Sequence, residues 1–336
     1  MKAAVFKAPG RPLVIEERPR PEPEAGEVLV RVKRTGICGS DLHMTSGRTQ
    51  QLALDSVIGH EFCGEVVALG PGVKQLQLGD RVAPLPYIGC GHCPACLAGR
   101  PIGCPDMKPV VAGFCEYSRV GERDCVRLPP EVTDEAGALI EPLATGLQGV
   151  RKARLEVGAS VLVTGAGAIG LATAFWAARL GAGNVAVMAG SNRRRPIAAA
   201  MGASHFIARS DTPDPAAAVQ DALGGAPDVV FEAVGLPGAI AQAIDYVKPH
   251  GTVISMGFCD GADSIFPVVA SWKEVELKFS LCYYRQDFQY TAHVLAAGDQ
   301  RPLAMITDTI SLEQLPDKFE GLREPGPDCK VMVDPS

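Results

Sequence analysis

Val161-Leu162-Val163-Thr164-Gly165-Ala166-Gly167-Ala168-Ile169-Gly170-Leu171 is the stretch that decides how this chain folds. The first four residues read as a short buried strand, and glycines spaced G-x-G-x-x-G follow at once. Leu171–Leu180, rich in alanine, reads as a helix. Strand, glycine turn and helix in that order make a cradle for a pyrophosphate. Gly165 permits the tight turn, Gly167 lets the backbone come close to the phosphates, and Gly170 lets helix and strand pack. Ala168 and Ile169 open the helix, where unpaired N–H groups face an anion. A glycine turn without any ligand is the plainer alternative, and its position between strand and helix argues against it.

The same alternation continues downstream. Val185–Met188, Asp228–Phe231 and Thr252–Met256 repeat the strand signal, while Arg194–Met201 and Ala239–Tyr246 repeat the helix signal. Such alternation predicts a doubly wound α/β domain with a parallel sheet. Upstream the texture differs. Val28–Val32, Phe62–Leu69 and Val82–Leu85 are short strand candidates separated by Gly70-Pro71-Gly72 and Gly79-Asp80, which suggests a barrel-like β domain. After residue 275 come a strand-like Glu276–Tyr283, a helix-like Phe288–Ala297 and a strand-like Lys330–Val333, expected to return to the first domain. The expected division is 1–150, 151–275 and 276–336.

At 336 residues the chain has room for about two domains. Its 47% hydrophobic and 21% charged content is that of a core-forming globular protein. A net charge of −6 leaves no global basic field for nucleic acid or an anionic membrane. Neither an apolar leader core after Met1 nor a membrane-length apolar run is present, so a cytoplasmic setting is expected. Eleven cysteines without an export signal point to metal ligands and free thiols rather than disulfides.

Four of them are compactly spaced: Cys90-Gly-His-Cys93-Pro-Ala-Cys96, then Cys104. Four thiolates on one short loop can enclose a tetrahedral ion, and zinc tolerates and closes such sites. Buried free thiols or an iron–sulfur cluster are the alternatives. A nucleic-acid finger is disfavoured because Arg100 is the loop's only basic residue apart from histidine, and His92 reads as a solvated turn residue. Three further patches carry donors for a second zinc: Cys38 in Gly36-Ile-Cys-Gly-Ser-Asp-Leu-His43, His60 and Glu61 in Gly59-His-Glu-Phe62, and Glu141 in Glu141-Pro-Leu143. Singly, each could be packing. Together they offer a thiolate, an imidazole and two carboxylates, a set suited to a catalytic zinc with an exchangeable position. Asp41, otherwise a turn cap, is a candidate acceptor for the second ring nitrogen of His60.

The order Gly-Ile-Cys-Gly-Ser-Asp-x-His, Gly-His-Glu, Gly-Asp-Arg-Val at 79–82, the four-cysteine loop, Glu-Pro-Leu and the glycine turn resembles the zinc-dependent medium-chain dehydrogenase/reductase family over essentially the whole chain. Glu141-Pro142-Leu143 is similar to the polyol (sorbitol) and threonine dehydrogenase branch. The resemblance implies a GroES-like β-barrel catalytic domain with a Rossmann domain, and a homodimer or homotetramer built through the latter. It also implies two zinc ions per chain. The catalytic one would sit on Cys38, His60 and a carboxylate, with Glu61 and Glu141 sharing or exchanging that role. Ser40 and His43 match the family's proton relay by position, with a turn hydroxyl and a surface imidazole as plainer roles. The expected reaction interconverts a secondary alcohol, polyol- or cyclitol-like, and its ketone. A zinc-free quinone or enone reductase and a non-catalytic NADPH-binding or zinc-sensing protein are the competing readings.

An NAD site wants an acid about 20 residues past the glycine turn, to hold the ribose hydroxyls. Here the sequence is Ala189-Gly190-Ser191-Asn192-Arg193-Arg194-Arg195, and no Asp or Glu occurs between Gly165 and Asp211. A hydroxyl and guanidiniums without a carboxylate suit a 2′-phosphate, so NADP(H) is expected over NAD(H), with Ser191 and Arg193 as the leading contacts and Asn192 and Arg194 beside them. Met44, Thr45, Tyr87 and the 106–114 stretch are expected to border the substrate, and the segment between Cys104 and Phe114 is shorter than the family's. His205, His250 and His293 read as structural or solvated, and Cys63, Cys115, Cys125, Cys259, Cys282 and Cys329 as small buried hydrophobes.

Overall fold

Glu27–Gly36 is the strand on which the first part of the molecule is assembled in the computed structural model, which describes residues 1–47, 52–110 and 112–336. It pairs antiparallel with Glu61–Leu69, from Val28 opposite Leu69 to Gly36 opposite Glu61. Its other edge meets Tyr117–Gly121 along its first half and Lys330–Asp334 at its last residues. Valines 28, 30 and 32 point with Phe62, Val66, Val82 and Val120 into one buried cluster, while Arg31 between them is exposed. The period-2 alternation turns these valines to one buried face, while on the other face Leu29 is buried as well. A second cluster joins the chain's ends: Ala4, Phe6, Ile37 and Ile58 pack with Phe319, Val331 and Val333. Phe114 lies edge-on to Phe319 there, with ring centroids 6.3 Å apart.

The chain divides into two compact units, Met1–Glu141 with Tyr284–Ser336, and Pro142–Tyr283. The second holds a six-stranded sheet, all parallel, in the spatial order His205–Ala208, Asn184–Ala189, Ser160–Thr164, Val229–Glu232, Thr252–Ser255, Glu276–Phe279. This is the doubly wound order, reversing direction beside the first strand. Ala168–Arg179 follows that first strand, and its residues from Gly170 to Ala177 are all buried. Trp176 within it donates its indole N–H to the Leu143 carbonyl at 2.7 Å.

The return to the first unit comes later than expected. Glu276–Phe279 is the sixth strand of the parallel sheet, with Thr252 opposite Glu276, and the chain crosses back only at Tyr284. As an edge strand it carries charged Glu276 and Lys278 between apolar residues, so its sequence reads as a surface strand of either unit. The other boundary also moves, since the second unit begins at Pro142 inside the helix Ile140–Ala153. The helix expected at Arg194–Met201 is split into a 3-10 turn, Asn192–Arg194, and a helix, Arg195–Ala200. All eleven cysteines are free. Cys63, Cys115 and Cys125 are buried as expected, but Cys259, Cys282 and Cys329 are half-buried because they fall in loop segments. Among the described residues no helix is long and apolar enough to cross a membrane.

One carboxylate beside the four-cysteine loop works against the fold. Burial pushes the Asp124 carboxyl up to about 6, against the Gly89 N–H, donated to it at 3.1 Å, and the Arg285 and Arg123 guanidiniums. Between the ordinary carboxylate value and about 6, the folded chain holds a proton that the unfolded chain has released. Stability therefore falls as pH rises through that window, and the full cost stands above it. Asp124→Asn keeps the acceptor without the charge. Thermal melts should show it more stable by about 1–3 kcal/mol at pH 7.5, a gain that shrinks steadily as pH falls toward 4. A gain independent of pH would contradict the burial argument.

Candidate metal centre and dinucleotide site

Cys38 is the N-cap of the short helix Gly39–Thr45, and Glu61 opens the strand Glu61–Leu69 directly after His60. Cross-strand pairing of Gly36 with Glu61 brings the two segments together. A Cβ at Gly36 would run into the Glu61 carboxylate, so glycine is required for this approach. One ligand atom each from Cys38, His60 and Glu61 lie within 4.8 Å of one another. Three protein donors with room for a fourth partner are what a catalytic zinc takes.

Asp41, fully buried, sets the geometry. Its Oδ2 accepts the Cys38 backbone N–H at 3.0 Å and its Oδ1 lies 3.1 Å from His60 Nδ1. That bond assigns the ring proton to Nδ1 and leaves Nε2 to a metal. Ser40 Oγ donates to Cys38 Sγ at 3.2 Å and stands 3.5 Å from His60 Nε2. Burial lowers the affinity of His60 for a proton, but the Asp41 carboxylate and the Cys38 thiolate outweigh it and hold the imidazole well above its ordinary value. Asp41 and Cys38 thus favour positive charge at this position.

Sequence reading missed Lys330. Its ammonium, buried with the side chain 2% exposed, donates to both Glu61 oxygens at 2.6 and 2.8 Å and to the Ile37 carbonyl at 2.9 Å. Burial lowers its pKa, yet Glu61 and Cys38 raise it further, so the lysine stays charged. Lys330 thus meets the Glu61 carboxylate from behind. The available signal was a lone lysine at the head of an apolar strand, Lys330-Val-Met-Val. Glu141, buried in the first turn of Ile140–Ala153, does not belong to the three-residue cluster. Nothing in its local sequence distinguishes it from Glu61 in this respect.

The four loop cysteines also converge, with the sulfurs of Cys90, Cys93, Cys96 and Cys104 within 4.8 Å of one another. Cys93 caps the turn Pro94–Leu97 and Cys104 closes the 3-10 turn Pro101–Gly103. The backbone N–H groups of His92 and Cys93 draw the Cys90 thiol down to about 6, whereas burial pushes Cys96 up to about 12. Four sulfurs at this separation suit a closed tetrahedral zinc. His92 is exposed, with Nδ1 3.0 Å from the Cys90 carbonyl, and stands outside the set.

In the second unit the glycine turn links Ser160–Thr164 to Ala168–Arg179, with Gly167 as N-cap. Gly165 has φ +97°, and a Cβ on Gly170 would collide with the Gly165 carbonyl. A Cβ on Gly167 would meet nothing, so this side of the turn, with the N–H groups of Ala168 and Ile169, is open to a phosphate. Beyond the second strand, Ser191 is half-buried, Arg193 is exposed, and Arg194 donates to the Ala166 carbonyl at 2.8 Å. Arg195 donates twice to Asn192 Oδ1, at 2.9 and 2.7 Å, and Asn192 donates to Asp211. Asp211, the first acid after the glycine turn in sequence, therefore lies beside the Ser191–Arg195 turn.

Among the remaining positions, His43 is exposed and Met44 and Tyr87 are half-buried. Thr45 is fully buried, bonded to the Asp41 carbonyl at 2.8 Å and receiving Arg323 at 2.9 Å, so it is a packing residue rather than a substrate contact. Of the 106–114 stretch, Val111 lies outside the described residues.

Known proteins share both halves. Residues 24–130 match the alcohol dehydrogenase GroES-like domain and residues 168–297 the zinc-binding dehydrogenase domain. Sorbitol dehydrogenase of Bacillus subtilis (strain 168) is 32% identical over 349 residues, covering 100% of this chain and 98% of its own. Among solved structures, an alcohol dehydrogenase of Escherichia coli CFT073 complexed with NADH superposes with a TM-score of 0.89 at 30% identity, over 99% of each chain. A Sinorhizobium meliloti 1021 protein of the zinc-binding dehydrogenase kind, bound to NADP, superposes with a TM-score of 0.88 at 30% identity, again over 99% of each. The chain belongs to the medium-chain alcohol dehydrogenase family, in its sorbitol dehydrogenase-like branch.

Proposed function

We propose that the protein interconverts a secondary alcohol of polyol type and its ketone, using a catalytic zinc and NADP(H) in preference to NAD(H). The observation that carries this reading is the convergence of ligand atoms from Cys38, His60 and Glu61, with Asp41 and Ser40 against them. Cys38, His60 and Glu61 would hold the catalytic ion, and Cys90, Cys93, Cys96 and Cys104 a structural one. When bound, zinc supplies Lewis acidity and the nicotinamide exchanges hydride. The chain's own residues do the rest. Asp41 keeps the His60 proton on Nδ1, and Lys330 fixes the Glu61 carboxylate from behind. Ser40 Oγ takes the proton of the substrate hydroxyl. His43, three residues on along the same helix and exposed, passes it to solvent. Glu61 is the carboxylate ligand in this reading, and Glu141 stays outside the set.

The cofactor preference rests on a sequence without Asp or Glu from Asn184 to Arg195 and on the exposed Arg193. An assembly of two or four copies is supported by the parallel sheet's free edge, Glu276–Phe279, near which Phe266, Trp272, Phe279 and Leu281 are 77%, 85%, 64% and 58% exposed. Eleven free thiols suit a reducing, cytoplasmic setting.

A panel of polyols and ketones, run on protein of measured zinc content, tests the reading. Turnover should appear with secondary polyols, and kcat/KM with NADPH should exceed that with NADH by about tenfold or more. A preference for NADH would sink the cofactor assignment. Ser40→Ala should cut kcat by about 10²-fold while leaving about two zinc ions per chain; normal turnover would remove Ser40 from the relay. Light scattering should give a mass of two or four chains, and a monomer at micromolar concentration would overturn the assembly.

A further inference from the structure

The short helix Gly39–Thr45 follows Cys38 and carries Ser40, Asp41 and His43, and its far end is gripped by a residue 278 positions further along the chain. Arg323 donates from Nη1 to the Leu42 carbonyl at 2.7 Å and from Nη2 to Thr45 Oγ1 at 2.9 Å. Thr45 Oγ1 in turn donates to the Asp41 carbonyl at 2.8 Å. A guanidinium can only donate, so the Thr45 hydroxyl accepts on that side and its single proton is turned toward the helix backbone. The guanidinium is itself held in place. Glu320 accepts from its Nε and Nη2 at 2.8 and 3.0 Å, and the fully buried Phe319 ring lies beneath it, 5.4 Å from Cζ. The Gly10 N–H also meets the Thr45 carbonyl, at 3.0 Å, but only the contacts from Arg323 are charge-assisted and only they lead on to Asp41.

We propose that Arg323 is a positioning residue for the Cys38–His60–Glu61 centre, acting through Thr45 and Asp41. The proposal rests on the catalytic-zinc reading above. A helix of seven residues has too few internal bonds to fix its own orientation, and the carbonyls of its last turn lack partners along the helix. Arg323 meets that need at the end where the helix dipole favours a cation. Two bonds from one rigid guanidinium, to a carbonyl and to a side chain, oppose rotation of the helix about its axis. Asp41 is the residue that feels this. Its carbonyl ends the chain of bonds from Arg323, and its carboxylate meets the Cys38 N–H and His60 Nδ1. Without the anchor the carboxylate loses its alignment with the imidazole, and His60 Nε2 is aimed less accurately at a metal.

Zinc release from the full, zinc-loaded chain to a chromophoric chelator tests this without any turnover. Wild type should release two ions in separate phases, and His60→Ala, which spoils one site, identifies the phase belonging to it. Arg323→Met should speed that phase by about tenfold and leave the ion of the four-cysteine loop unchanged. Arg323→Lys, which keeps the charge and a donor, should fall between the two. Thr45→Val, which removes the hydroxyl and leaves the arginine, should reproduce the effect, and the double variant should be no faster than either single one. Lys318→Ala, on the helix Leu315–Gly321 that precedes Arg323, breaks ion pairs to Asp308 and Asp328 and should alter neither phase. Release unchanged in Arg323→Met, or sped equally at both sites, overturns the positioning role. So does equal acceleration by Lys318→Ala, which would reduce the effect to general loosening, or additivity of the Arg323 and Thr45 variants. A wild type that holds zinc on the four-cysteine loop alone overturns the catalytic-zinc reading and the positioning with it.

Discussion

The buried ion pair between Lys330 and Glu61 is the constraint on which the first unit depends. It ties a strand near the C-terminus to one that begins 269 residues earlier, and through the Ile37 carbonyl it reaches the segment that carries Cys38. Two charges taken out of water are tolerated only when each is fully met, and removing one partner strands the other at a cost of about 3–5 kcal/mol. Three hydrogen bonds from one ammonium meet that condition. The final strand therefore both extends the sheet and meets the buried Glu61 carboxylate. Asp41 performs the corresponding task on the opposite side, where one carboxylate orders both a thiolate segment and an imidazole.

The second unit solves a different problem with a different element. Its parallel sheet reverses direction beside Ser160–Thr164, and the glycine turn stands at that reversal. Helix N–H groups and open backbone there suit a phosphate without any charged side chain. Charge enters only at the adjoining strand end, in the Ser191–Arg195 turn and its partner Asp211.

Legibility from sequence followed distance along the chain. The four-cysteine loop spans 90–104, so spacing alone implied that its sulfurs meet, and they do. The glycine turn was equally local. The dispersed donors were legible as residue types in patches, but the sorting of Glu61 from Glu141 was not, because it depends on the register that sets Gly36 opposite Glu61. Lys330 was hidden for the same reason, since a lysine at a strand's first residue ordinarily reaches solvent. Glu276–Phe279 was misassigned because an edge strand half exposed to water carries the same alternating pattern in either unit.

By itself, then, the sequence determined the fold class, the convergence of the four-cysteine loop, the glycine turn between strand and helix, and the inventory of further candidate donors. These are matters of local spacing, settled by geometry over a few bonds or by periodicity over one element. Tertiary structure alone decided which carboxylate joins the donor cluster, which cation meets it, and which acid lies beside the Ser191–Arg195 turn. Those choices are made by pairing register and burial between segments tens to hundreds of residues apart, where desolvation makes a charge either matched or excluded.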